Sequence, residues 1–386
     1  MDDSMIVDEI TAAELYDTLR QGASVFILDV RNEDEFASWQ IEGLRPLPMV
    51  NVPYFAFLED EAGSFAQVPA DREVTVVCAK GGSSAFVASL LAERGIRARN
   101  LSGGMVAWGD LLVATPVPAE VSSQVTLLQI NRIGKRCLSY FIASEGEALV
   151  VDPARHIDWY TALAQKEHAR ITRVIDTHLH ADHLSGGPAL ARALGIPYHI
   201  RLDDAAGARF SYQSLDDGTH LALGSSVVEI ITIHTPGHTP GSTSLLIDGR
   251  HLLTGDTLFV NGVGRPDMGA RAHEWARLLY RTLFERMARL PDGVIILPAH
   301  YASAAEMRTD GLVGISVGEA RAQNIVFQMR SEEDFLTYVL GHLPPQPPEY
   351  QEIRRANLGQ VLLDEDHAIE AELGPNQCAA VPPSKR

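Results

Sequence analysis

His178-Leu-His180-Ala-Asp182-His183 places four potential metal ligands within six residues, directly after the β-rich run RVIDT (173–177). In extended backbone alternate side chains share a face, so His178 and His180 lie on one side. The turn through Ala181 lets Asp182 and His183 fold back toward them. Imidazole and carboxylate together suit zinc or ferrous iron. Three further candidates sit at strand-to-loop transitions: His238 in TPGHTPGS, Asp256 in LLTGDTLF and His300 in IILPAH. Any one of these alone reads as a surface or turn residue. Seven of them, each at the end of a β-rich run, read as a metal centre. A second kind of chemistry is carried by Cys78, which follows EVTVV and precedes AKGGSS and a helical pattern. Backbone amides and a helix N-terminus favour a thiolate at such a junction. Gly81 and Gly82 let the loop curl into an anion-binding nest.

The elements that must position these groups are legible as hydrophobic patterns. ITAAELYDTLRQG predicts a helix with Thr11 as N-cap, Glu14 completing a capping box and Gly22 past the end. SVFILDV (24–30) and EVTVVCA (73–79) suit buried parallel strands, and SSAFVASLLAERG (83–95) has helical spacing. This alternation makes the first segment α/β. VATPVPAE (113–120) carries two prolines and no periodicity, which predicts a linker. Beyond it, strands are expected near 125–130, 138–143, 148–151, 173–177, 227–233, 244–247, 251–254 and 294–297. Helical patterns lie at 188–194, 272–290 and 332–340, and PPQPPEY (344–350) opens a Pro-rich tail.

Composition narrows the class of function. With 386 residues, two domains are the natural expectation. A net charge of −18 argues against nucleic acid or anionic lipid as a partner. No run approaches the roughly 18 continuous apolar residues of a membrane span. The acidic MDDSMIVDEI does not resemble a secretory leader. Three distant cysteines, Cys78, Cys137 and Cys378, point to a reducing, cytoplasmic compartment rather than a disulfide framework. Cys137 and Cys378 have no setting like that of Cys78 and stay unassigned.

T-H-x-H-A-D-H, then G-H-T-P-G-S, G-D and P-A-H, in this order, resemble the metallo-β-lactamase superfamily over about residues 123–345. LDVRNEDEF (28–36), IEG (41–43), the Cys78 loop and LSGGMVAW (101–108) resemble rhodanese domains over about residues 5–113. The implied architecture is an α/β rhodanese-like domain (1–113), a linker (114–122) and an αββα sandwich (123–373). A disordered tail (374–386) completes it. Cys78 is then expected to carry a persulfide, with Asp29 and Arg31 bracing its loop. Ser83 stands where rhodanese loops often have arginine, leaving Lys80 to supply positive charge toward substrate.

Within the superfamily, NGVGRPD (261–267) resembles the Gly-Arg-x-Asp stretch of persulfide dioxygenases, where Arg265 holds a thiol carrier's carboxylate or shapes the pocket. The segment from Asn324 to Asn357 is similar to their bacterial C-terminal segment. That resemblance implies one Fe(II) per chain on His178, His238 and Asp256, with open positions for O2 and persulfide. His180, Asp182, His183 and His300 become a second metal position or a hydrogen-bonding shell. Tyr301 contacts substrate or packs, since the Asp-Tyr pair common after the last histidine is absent. The expected partners are a small thiol persulfide (glutathione persulfide by default, with coenzyme A persulfide or another small thiol open), O2, sulfite or thiosulfate and a second copy of the chain, in sulfide detoxification. A glyoxalase II-like dinuclear zinc thioester hydrolase keeps the same ligands and is the alternative. A non-catalytic sulfur sensor or scaffold is the second alternative.

Overall fold

The computed structural model describes residues 7–118, 125–224, 228–269 and 271–380. The chain divides into two compact units, one of 1–112 with 132–135 and 373–375, the other holding the remainder.

The first unit is built on five strands: β1 (Asp8–Ile10), β2 (Phe26–Asp29), β3 (Met49–Asn51), β4 (Val74–Val77) and β5 (Ala98–Leu101). They pair in the order β1-β5-β4-β2-β3, all parallel. A parallel sheet covered on both faces needs near-continuous apolar strands, and β4, VTVV, is buried at every position. Val74 and Val76 pack with Leu28, Val87 and Leu91 in its core. The helix Ala12–Arg20 has the reciprocal Thr11–Glu14 capping box, with bonds of 3.2 and 2.9 Å.

The second unit contains two six-stranded sheets. One comprises β6 (Leu112–Pro116), β7 (Thr126–Arg132), β8 (Cys137–Ser144), β9 (Glu147–Val151), β10 (Arg170–Ile175) and β11 (Tyr198–His199), in the order β11-β10-β9-β8-β7-β6. The other runs β12 (His220–Leu223), β13 (Val228–His234), β14 (Thr243–Ile247), β15 (His251–Gly255), β17 (Ile295–Pro298), β18 (Ile315–Ser316). A short ribbon pairs β16 (Val263–Gly264) with β19 (Ala379–Ala380). Strand alternation builds two cores from one sheet. Leu253 and Leu297 face the first sheet's Ile142, Leu149 and Ile175. Their neighbours Leu252 and Ile296 face the helical layer of Leu279, Val317, Phe335 and Val339. This is the sandwich expected from the sequence.

Two expectations are corrected. Residues 114–116 are not linker but the end of edge strand β6, because a β-rich LVATP can pair even with a terminal proline at a sheet edge. Residues 119–122 of that linker lie outside the described residues. The supposed tail is ordered as far as Ala380: Ala379 and Ala380 pair with Gly264 and Val263, and Cys378 is fully buried. Its last six positions, 381–386, lie outside the described residues. No helix among the described residues is long and apolar enough to cross a membrane.

Candidate metal centre and sulfur loop

The histidine loop leaves β10 and is pinned where it starts. Asp152, the residue after β9, adopts φ 51°, a left-handed conformation that aspartate tolerates better than most residues. Its carboxylate accepts from Thr177 N (2.6 Å) and Thr177 Oγ1 (2.8 Å) and contacts His180 Nε2 at 3.1 Å. Thr177 Oγ1 in turn lies 2.9 Å from His178 Nδ1, which aims Nε2 of His178 inward. Asp204 ties this loop to the next: it accepts from Leu179 N, Thr239 Oγ1 and Gly241 N at 2.9, 2.6 and 2.8 Å. Asn357 closes the far side, donating to His180 O and His183 O and accepting from Ser185 N. His238 donates from Nδ1 to Arg265 O at 2.8 Å, leaving the lone pair on Nε2. Gly264 is required beside it, since a Cβ there would lie 1.9 Å from Asp256 O.

All seven candidate ligands come together, none more than 3% exposed. They do not form one undivided cluster. His178, His238 and Asp256 offer ligand atoms within 4.8 Å of one another, and His180 falls instead into a group with Asp152 and Asp176. Asp256 Oδ2 lies 3.7 Å from His178 Nε2 and 3.5 Å from His238 Nε2, and none of these three atoms has a hydrogen-bond partner. Three buried, unpartnered acceptor atoms facing one point would be costly unless a cation satisfies them. The residues therefore fit a bound metal. Burial and the adjacent His180 push His178 well below the usual imidazole range, and burial likewise lowers His238. Both are thus in the neutral form that a metal requires. Burial opposes the charge on Asp256, but His300 beside it holds its carboxyl well below the ordinary carboxylate range. His180 is pushed up to about 9, because Asp152 outweighs the burial that opposes its charge.

Arg265 does not present its guanidinium to a pocket. It is fully buried and donates to Asp267, to Gln377 O (3.1 Å) and to Pro344 O (2.6 Å). In place of the expected substrate contact its guanidinium clamps C-terminal segments, where Cys378 O, just before β19, also accepts from Arg265 N. Tyr301 is buried and donates to Asn131 Oδ1 at 3.2 Å, a packing role. Sequence reasoning missed Asp152, Asp204 and Asn357, because a lone Asp or Asn outside a motif looks like a turn residue. For Asp152 there was a usable signal: it ends the apolar run ALVV, as Asp29 ends FIL. It also missed Cys137 and Cys378, which the fold buries beside Asp182, Asp256 and His300.

In the first unit Cys78 follows β4 and is buried. Its Sγ accepts from Gly81 N (3.1 Å) and Ser84 Oγ (3.0 Å) at the start of the helix Gly82–Glu93. Gly81 takes φ 92°, which turns its N–H toward the sulfur. Asp29 and Arg31 pair with each other, Nη2 to Oδ2 at 2.6 Å, rather than with the cysteine. Lys80 is exposed at the loop.

Residues 132–300 match the metallo-beta-lactamase superfamily and residues 11–111 match the rhodanese-like domain. The chain belongs to the metallo-beta-lactamase superfamily, with a rhodanese-like domain on its N-terminal side. Among individual relatives, it is 38% identical over 177 residues to the hydroxyacylglutathione hydrolase of Anaeromyxobacter dehalogenans (strain 2CP-C), covering 46% of this chain and 66% of that one. It is 30% identical over 189 residues to the mitochondrial persulfide dioxygenase ETHE1 of Bos taurus, covering 48% and 69%. The chain thus spans just under two thirds of the hydrolase. The fold is similar to that of ETHE1 from Myxococcus xanthus, with a TM-score of 0.52 and 25% identity over 60% of this chain and 98% of that one. A metallo-beta-lactamase from Staphylococcus aureus subsp. aureus COL gives 0.56 and 25% over 63% and 75%.

Proposed function

We propose that the chain is a ferrous dioxygenase acting on a small thiol persulfide, glutathione persulfide by preference, joined to sulfur transfer through Cys78. The observation that carries this reading is the split of the cluster. His180 Nε2 is engaged by Asp152, so His178, His238 and Asp256 stand as two histidines and one carboxylate. Such a trio with open positions is the ligand set of non-haem ferrous oxygenases. Ferrous iron held there supplies the redox chemistry that dioxygen needs. The overall change balances as persulfide, dioxygen and water giving thiol, sulfite and two protons.

The chain's own residues do the positioning. Thr177 and Asp152 orient His178, Arg265 O orients His238, and Asp204 holds their two loops in register. Ala181, within the histidine loop, packs with Met268, Trp275, Tyr350 and Cys378 in a buried apolar cluster. In the first unit, the two donors from Gly81 N and Ser84 Oγ fix the position of Cys78 Sγ at the start of a helix, which suits a persulfide carrier. Cys78 then exchanges its outer sulfur with sulfite, giving thiosulfate and the free thiol.

Similarity to relatives supports a thioester hydrolase no less. One feature favours that second reading: His180 Nδ1 is buried without a partner and could serve as a further ligand. The two separate on substrate and metal together. Protein reloaded with iron should consume glutathione persulfide only when oxygen is present, and zinc-loaded protein should not. Turnover of a glutathione thioester by the zinc form, with no persulfide consumption by the iron form, overturns the proposal.

A further inference from the structure

A metal that takes up a substrate must be reachable, yet the ligating atoms here are closed to water. Nε2 of His178, His238 and His300 and Oδ2 of Asp256 are all buried. Part of the seal is the chain's own C-terminal segment. β19 pairs with β16, and β16 lies against the ligands: a Cβ on Gly264 would come within 1.9 Å of Asp256 O and 3.0 Å of His238 Cβ. Just before β19, Cys378 is fully buried. Its Sγ, a carboxylate oxygen of Asp256 and a ring nitrogen of His300 all lie within 4.8 Å of one another.

The segment is held there by short-range contacts. Asn376 Nδ2 donates to Arg136 O at 3.0 Å, and Gln377 N donates to Tyr350 OH at 3.0 Å. Arg265 donates from its guanidinium to Gln377 O at 3.1 Å and from its backbone N to Cys378 O at 2.8 Å. The strand pairing itself is two residues long, Val263 with Ala380 and Gly264 with Ala379. Short segments near a chain end open locally at a fraction of the free energy of global unfolding. While closed, this one sets the Cys378 side chain beside Asp256 and His300, in space that a reactant needs next to the metal.

We propose that residues 376–380 are a displaceable strap over the metal centre, with the Cys378 side chain filling the place that a sulfur substrate takes once the strap leaves. The closed strap keeps the ligands dry, and substrate binds only to the open form. Its apparent affinity is therefore reduced by the fraction of time the strap is closed. Arg265 is the catch: one residue of β16's neighbourhood holds both Gln377 and Cys378, so the strap and the loop that carries His238 are latched together. That the displacing ligand carries sulfur rests on the functional reading above, and it holds for persulfide and thioester alike.

Metal release tests it without any turnover. Zinc-loaded full-length protein mixed with excess EDTA should give up zinc slowly. Two variants open the strap independently: a chain ending at Pro375, and Ala380→Lys, which forces a charge into a fully buried apolar position. Each should release zinc about tenfold faster or more, the factor for a strap open less than a tenth of the time. Zinc affinity at equilibrium should stay unchanged, because a lid that opens speeds entry as much as exit. Glutathione added to the zinc-loaded full-length protein should speed hydrogen exchange at the amides of residues 377–380. Unchanged release in both variants overturns the proposal, as does faster release matched by an equal loss of affinity, which makes the segment a structural brace. Exchange that glutathione leaves unaltered also overturns it. Failure of the reaction reads differently: fast release and responsive exchange in protein that consumes no oxygen with persulfide keep the strap and remove the dioxygenase.

Discussion

The sulfur loop and the metal centre both lie just past the C-terminal end of a parallel strand, β4 for Cys78 and β10 for His178. They are assembled in opposite ways. The donors on Cys78 come from Gly81 and Ser84, within the same turn of chain. The metal centre gathers ligands from 178 to 300, and residues as distant as Asp152 and Asn357 hold them. A locally built site depends on one or two side chains. A site assembled across the fold depends on ligands and supports alike, so damage to its supports should register as lost metal rather than as lost chemistry alone.

The sharpest break comes from a ligand. His178→Ala should lower iron affinity by more than about 100-fold, beyond the 10–100-fold typical of supporting residues, and turnover should fall with it. Metal content per chain and rate, measured together, check this. Asp204→Ala removes three bonds that join two ligand loops and should weaken metal binding by about 10–100-fold while the fold persists. Unchanged affinity in a metal titration of that variant would mean that the loops hold themselves. At the sulfur loop, Ser84→Ala should slow sulfur transfer by about tenfold, roughly 1.4 kcal/mol for one lost bond to sulfur, and leave metal content as it was. Coupled loss of metal there would erase the contrast between the two sites.

The smallest effect is one of pH. His199, at the end of β11, sits at about 4 instead of the ordinary 6.5, first because burial removes it from water and then because Arg173 repels its charge. The unfolded chain binds this proton as pH falls below 6.5 and the folded chain does not until about 4. The stabilising contribution is therefore present above 6.5 and is lost as pH falls toward 4. His199→Gln should flatten that part of the urea-midpoint profile, and an identical profile in both proteins contradicts the assignment.

What the sequence showed divides along the same line. Strands β2, β4, β9 and β10 and the helix after Cys78 follow from apolar runs and caps, which are local signals. His178 through His183 were legible because four ligand types crowd six residues. Cys137 gave no such sign, because only the fold brings it to a bridge with His300, far along the chain. Arg265 was misplaced for the same reason. Its neighbours in sequence resemble a substrate-binding stretch, but beyond Asp267 its partners are Gln377 O and Pro344 O, brought in by C-terminal segments that composition alone presents as loose.

The central claim is that the trio performs oxygen chemistry on a sulfur substrate. It is tested most directly by oxygen consumption of iron-loaded protein on addition of glutathione persulfide, with sulfite assayed in the same vessel. The account predicts sulfite in step with the oxygen consumed, and neither in His178→Ala. Oxygen left unconsumed by protein that holds its iron contradicts it.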